Sequence, residues 1–263
     1  MSWLICLKGI IWREMLRFYH QRSRLIGALV RPLMWLLVFA TGFRAALGVA
    51  IAPPYDTYIP YAVYVLPGLV GMVQLFNAMQ SSLSMVYDRE MGSMRALLLS
   101  PLPRWYLIVC KLLAGVAVSI VQAYAFLGVA YLFGDDAPPA GYLSVLPALL
   151  LNGVMLGALG LLLSSLIRQL ENFAGVMNFV VFPLFFLSTA LYPIWKIQEG
   201  SEILAQICQF NPFTYGVEMI RFALYGQIDG LSVLVVSGAG ALFLVAAVLG
   251  YSPSKGLTRL KAG

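Results

Sequence analysis

Long apolar runs, separated by short polar or proline-containing stretches, dominate the pattern of the chain. A helix rises about 1.5 Å per residue, so roughly 20 predominantly apolar residues cross a hydrocarbon layer. Residues 30–43, 61–86, 105–133, 142–167, 173–191 and 231–250 are predicted on this basis as membrane spans. The first has Arg31 and Pro32 near its start. Proline is tolerated in the first turn of a helix, and a long arginine side chain can reach the headgroups. Ala52-Pro53-Pro54, Ser100-Pro101-Leu102-Pro103 and Gly134-Asp135-Asp136-Ala137-Pro138-Pro139 punctuate the spans.

Two other segments carry helical periodicity without enough apolar length to span. In residues 3–24, Arg13, Glu14, Arg17, Gln21 and Arg24 share one side of a helix, and Ile11, Trp12, Met15, Leu16 and Tyr19 the other. This is the pattern of a helix lying in the headgroup plane, the alternative being a plain extension of the first span. In residues 192–229, Ile203, Leu204, Ile207 and Cys208 repeat at helical spacing. Val217, Ile220, Ala223 and Leu224 repeat again after Asn211-Pro212. Two short outer-leaflet helices are expected there.

Composition decides what surrounds these helices. Of 263 residues 61% are hydrophobic and only 11% charged, against about half and a quarter in a soluble domain. Such a chain cannot cover a water-facing surface, so the expected fold class is an all-α integral membrane protein. It has six transmembrane helices, an N-terminal interfacial helix and short outer-leaflet helices before the last span, all in one domain over residues 1–263. The net charge of +6 forms no dense run and does not indicate nucleic acid. Instead the basic residues collect on one side: Lys8, Arg13, Arg17, Arg22, Arg24, Arg31, Arg89, Arg95, Arg104, Lys111, Arg168, Lys255, Arg259 and Lys261. The other side keeps Arg44, Lys196 and Arg221, with Asp56, Asp135, Asp136, Glu199, Glu202, Glu218 and Asp229. By the positive-inside rule both termini are cytoplasmic, in a bacterial-type inner membrane. The charged N-terminus does not read as a cleavable signal peptide. Cys6, Cys110 and Cys208 lack metal or disulfide spacing and read as buried thiols.

The candidate chemistry is mostly excluded. His20 is the single histidine, so a Ser–His protease, a His-ligated haem and a His-rich metal site lack their central residue. The expected spans hold no acid in their middle, which argues against a proton-coupled carrier. There is no GxxxxGK[ST] phosphate loop, so any energy comes from elsewhere. In the second span Gln74, Asn77, Ser81 and Ser84 share one face, with Gln80 at its edge. This stripe can line an amphiphile pathway, or it can serve as interhelical hydrogen bonding at about 0.6–2 kcal/mol per contact. Gln122, Asn152 and Asn178 read as isolated structural polars, and Gly153-Val154-Met155-Leu156-Gly157 as a close-packing motif. Tyr58, Tyr61, Tyr64, Tyr192 and Trp195 fit an interfacial aromatic belt.

The stretch between the second and third spans, residues 88–104, holds Arg89, Glu90, Gly92, Ser93, Met94, Arg95, Leu97, Leu98, Ser100, Pro101 and Arg104, with Lys111 beyond. A short helix over 93–99, stopped by Pro101, presents Met94, Leu97 and Leu98 on one face, suited to docking in a groove of a soluble partner. Here the sequence resembles the ABC-2 type permeases, membrane subunits of exporters of drugs, lipo-oligosaccharides and polysaccharides. Their pattern is roughly Arg-Glu-x-Gly-Thr-Leu-Glu-x-Leu-x-x-(Ser/Thr)-Pro-x-x-Arg, then Lys-x-Leu. Arg89, Glu90, Gly92, Ser93 in place of Thr, Leu97, Ser100, Pro101, Arg104 and Lys111 match it, whereas Arg95 stands where Glu is common. Asn211-Pro212-Phe213-Thr214-Tyr215 resembles the block before the last span of the same family.

The resemblance implies a permease paired with a second copy or a similar subunit. Two cytoplasmic ABC ATPase subunits would dock beneath on Arg89, Glu90, Gly92, Ser93, Met94, Arg95 and Leu98. ATP and magnesium would bind those partners, leaving this chain without cofactor, metal or catalytic residues. The implied activity is export of an amphiphilic or lipid-linked substrate. The other reading is a structural or assembly subunit without transport activity, which has no need of an ATPase-docking helix.

Overall fold

The apolar runs fold as helices because lipid offers no hydrogen bonds to the backbone, which must satisfy its own N–H and C=O groups. A computed structural model of the chain describes residues 2–20, 27, 30–38, 53–55, 59–90, 102–133, 138–167 and 170–251. Among these, the helices in chain order are α1 (Ser2–His20), α2 (residues 30–38), α3 (Tyr61–Glu90), α4 (Arg104–Leu132) and α5 (Gly141–Leu166). They continue with α6 (Leu170–Phe186), α7 (Ile194–Gly200), α8 (Glu202–Phe210), α9 (Pro212–Leu224) and α10 (Gly230–Gly250). The described residues contain no β-strand.

Four helices, α3, α4, α5 and α10, are long and apolar enough to cross a membrane, and the Gly175–Phe186 part of α6 is a shorter apolar helix. These four match the expected second, third, fourth and sixth spans to within a few residues. The first expected span is described only over 30–38. The fifth, expected to run to residue 191, stops at Phe186. Its C-terminal carbonyls are taken by side chains rather than by a further turn. Asn211 Nδ2 donates to Leu184 O at 2.8 Å and to Leu187 O at 2.6 Å, and Ser188 Oγ donates to Phe185 O at 2.6 Å. Such side-chain bonds compete with the helical ladder and end it.

Helix α3 is the hub, packed on α4, α5, α6 and α9 and buried along nearly its whole length. Its close neighbours are admitted by glycine. A Cβ at Gly68 would lie 2.2 Å from Ala190 O, so no larger residue fits where the turn after α6 crosses α3. On α5, a Cβ at Gly157 would meet Leu112 Cδ1 of α4 at 2.5 Å, while Gly153 faces Val116, Gln74 and Ser119. The close-packing motif therefore seats α5 on α3 and α4. Helix α10 packs on α5 and α9, yet exposes Leu231, Leu234, Leu242, Val245 and Leu249. An apolar stripe of that length is compatible with lipid and not with water.

Helix α1 lies against the first turns of α4, with Trp3 stacked edgewise on Tyr106 at 4.6 Å and Tyr106 Oη donating to Trp3 O at 2.5 Å. Trp12, Leu16 and Tyr19 are exposed, as a helix in the headgroup plane requires. Glu14 departs from the expected polar face: its side chain is 14% exposed and turned toward α3 and α4. Arg13 and Arg17 lie beside it and offset its charge, at 3.1 and 3.7 Å.

Candidate functional site

The four residues of the α3 stripe converge on one cleft. Gln74, Asn77, Ser81 and Ser84 line it together with Ser82, Lys111, Gly115, Ser119 and Gly153, and about 650 Å³, open solvent at its mouth included, is free of protein atoms. The cleft lies between α3, α4 and α5, and α1 borders it with Glu14 and Phe18. Arg17 Nη1 donates to Ser84 Oγ at 3.3 Å and ties α1 to α3 at this border.

The deep end is where hydrogen bonding holds the helices together. Gln74 Nε2 donates to Leu149 O at 2.8 Å, and Gln74 Oε1 accepts from Asn152 Nδ2 at 2.8 Å. Asn77 Nδ2 donates to Gly115 O at 2.9 Å. Gln74 and Asn77 serve as interhelical hydrogen bonding that joins α3 to its neighbours, while Ser81 and Ser84 border the cleft. Asn152, expected to be isolated, belongs to this network. Gln122, one turn beyond Val118 and Ser119 on α4, is fully buried, and neither of its amide atoms has a partner among the described residues.

Nearer α1, Lys111 Nζ and Asp88 Oδ2 form an ion pair at 2.5 Å, both side chains about one-tenth exposed. Lys111 carries the family-like Lys-x-Leu position, and this pair clamps the end of α3 to α4. Arg89 and Glu90 close α3 immediately after Asp88. Of the other expected docking residues, Gly92, Ser93, Met94, Arg95 and Leu98 lie outside the described residues.

At the opposite end of the bundle a second polar cluster fixes α9. Asn211 caps α9 by accepting from Phe213 N at 2.9 Å while its amide closes α6, which explains the Asn-Pro pair physically. Arg221, 2% exposed, pairs with Glu218, donates to Thr189 O at 3.0 Å and stacks over the Tyr64 ring at 4.1 Å. Burial alone would lower the Arg221 pKa, but the Glu218 carboxylate and the oxygens of Tyr64 and Tyr55 more than offset it, so the guanidinium stays charged. Burial raises the Tyr55 phenol well above its ordinary value, with Arg221 opposing. Tyr61 and Tyr64 were expected in an interfacial aromatic belt. Instead they turn inward, donating to Leu191 O at 2.8 Å and Thr189 O at 3.2 Å. Tyr58 lies outside the described residues.

Residues 6–225, from α1 through the end of α9, match the family model for the ABC-2 type transporter. A relative from Porphyra purpurea, named "Putative transport permease ycf38", is 25% identical over 85% of this chain and 75% of its own length. The Escherichia coli K12 protein named "Probable multidrug ABC transporter permease YbhR" is 30% identical over 61% of this chain and 44% of its own. The Streptomyces coeruleorubidus protein named "Daunorubicin resistance ABC transporter permease protein DrrB1" is 24% identical over 89% and 81%. With its apolar helices and this match over most of its length, the chain belongs to the ABC-2 type transporter family and is a multi-pass membrane transport permease subunit.

Proposed function

We propose that this permease exports an amphiphilic or lipid-linked substrate from the cytoplasm or inner leaflet, driven by a separate ABC ATPase. The observation that carries the substrate reading is the cleft, which Ser81, Ser84 and Asn77 line together with apolar walls. A molecule with a polar head and an apolar body meets both kinds of wall. The drug-related names of two relatives agree with a substrate of that class. In this reading the inner membrane holds two permease copies with both termini cytoplasmic. Two ATPase copies, carrying ATP and magnesium, engage residues 88–104. Force enters through Arg89, Glu90, Gly92, Ser93, Met94, Arg95 and Leu98. The Asp88–Lys111 pair then passes it to α3 and α4, the helices that wall the cleft.

A mild-detergent pull-down of the tagged chain tests the coupling. Wild type brings down an ATPase; Met94→Asp, which places a charge on the apolar docking face, loses it, and Glu90→Ala retains less. Retention of the ATPase by Met94→Asp at wild-type level would remove the docking role from this segment. Absence of any ATPase from wild type, crosslinked or not, would sink the exporter.

A further inference from the structure

The hydrogen-bonding inventory of the cleft narrows what can occupy it. Asn77 is 3% exposed; its Nδ2 is spent on Gly115 O, whereas its Oδ1 has no partner among the described residues. Ser81 stands one helical turn away and borders the cleft against Gly115, and its hydroxyl makes no hydrogen bond among the described residues. Side chains at i and i+4 on a helix have Cβ atoms about 5–6 Å apart, so both are within reach of one bound group. A buried acceptor left unmatched is costly, and a donor on a bound molecule removes that cost.

The charges bordering the cleft point the same way. Lys111 is held by Asp88 at 2.5 Å, and Glu14 by Arg13 and Arg17 at 3.1 and 3.7 Å. Each already has its counter-charge within the chain. The charged residues that line the cleft, Glu14 and Lys111, thus offer no unpaired counter-charge, and an ionic head buried there without one is unfavourable. The remaining wall is apolar, from Phe18, Ala78, Met85, Leu112, Val116 and Leu161.

We infer that the cleft selects an amphiphile whose head is uncharged and bears hydroxyl or amide N–H donors. The head sits against Asn77 and Ser81, and the apolar body along Leu112, Val116 and Leu161. This rests on the cleft being part of the transport route and adds the class of head group that it admits.

The full chain in phosphatidylcholine nanodiscs is photolabelled with dodecyl glucoside carrying a diazirine in its tail. Unlabelled dodecyl glucoside, dodecylphosphocholine, dodecyl sulfate and dodecyltrimethylammonium compete below their micellar concentrations. Labelling maps to the peptides that carry Leu112, Val116 and Leu161, and the glucoside displaces it at about tenfold lower concentration than any charged head. Ser81→Val, which breaks no bond within the chain, weakens labelling about tenfold, the size of one hydrogen bond. Asn77→Leu weakens it further; should that variant fail to fold, Ser81→Val alone decides. Equal displacement by a charged amphiphile, or full labelling of Ser81→Val, overturns the assignment. Adding ATP and the co-purifying ATPase separates two sources of the same chemistry. Labelling that falls marks transported cargo, labelling that persists marks a resident glycolipid, and both uphold the head-group class. The readout needs no ATPase, so a failed pull-down and a failed head-group preference are separate results.

Discussion

Arg221 shows how a single residue can carry a cost that its neighbours repay. Its guanidinium sits at 2% exposure with Glu218 in direct contact, Thr189 O at 3.0 Å and the Tyr64 ring at 4.1 Å. Removing one partner of such a pair strands a buried charge at about 3 kcal/mol, whereas removing both is far cheaper. Glu218→Gln is therefore expected to lower stability in detergent by about 3 kcal/mol, and Glu218→Gln with Arg221→Met by clearly less. Denaturant titration of the two variants checks this; equal losses would mean that the pair contributes packing rather than compensated charge. The sequence placed Arg221 on the outer side but could not show it buried, because a lone arginine at a helix end looks the same whether solvated or enclosed. Glu14 is the parallel case: its position on the helical wheel was readable, but not that α3 and α4 occupy that side.

At the scale of elements, α1 and the α6–α9 corner show where pattern suffices and where it does not. The amphipathic period of α1 was legible from Trp12, Leu16 and Tyr19 against Arg13 and Arg17. Its partner was not, since docking depends on Trp3 meeting Tyr106 and on Arg17 reaching Ser84 at 3.3 Å. In a background with Cys6, Cys110 and Cys208 replaced by serine or alanine, Arg17→Cys with Ser84→Cys is expected to crosslink through a short bis-thiosulfonate. Arg17→Cys with Thr189→Cys should not. Gel mobility after labelling reads the result, and crosslinking of the second pair alone would refute the placement of α1. The α6 boundary failed in the sequence because hydropathy continues to Leu191. Asn211, folded back from α9, supplies with Ser188 the donors that end the helix at Phe186.

For the whole molecule, charge asymmetry makes a prediction that apolar length cannot make. Residues 8, 97 and 261 should be reached by a membrane-impermeant thiol reagent from one face, and residue 199 only from the other. Single cysteines at these positions, labelled in intact cells and in inverted vesicles, test the arrangement; opposite sidedness of the two termini would contradict six spans. The membrane class, the extents of α3, α4, α5 and α10, the amphipathic α1 and the family resemblance were all determined by the sequence itself. Each rests on local periodicity, total apolar length or residues near in sequence. The tertiary structure alone decided that Gln74, Asn77, Ser81 and Ser84 share a cleft with Glu14 and Lys111, and that Gln74 and Asn152 bond across it. It also decided that Tyr61 and Tyr64 point inward. Those outcomes depend on which helices become neighbours and how they are rotated about their axes. Glycine contacts such as Gly68 with Ala190 settle that rotation, and no one-dimensional pattern encodes it.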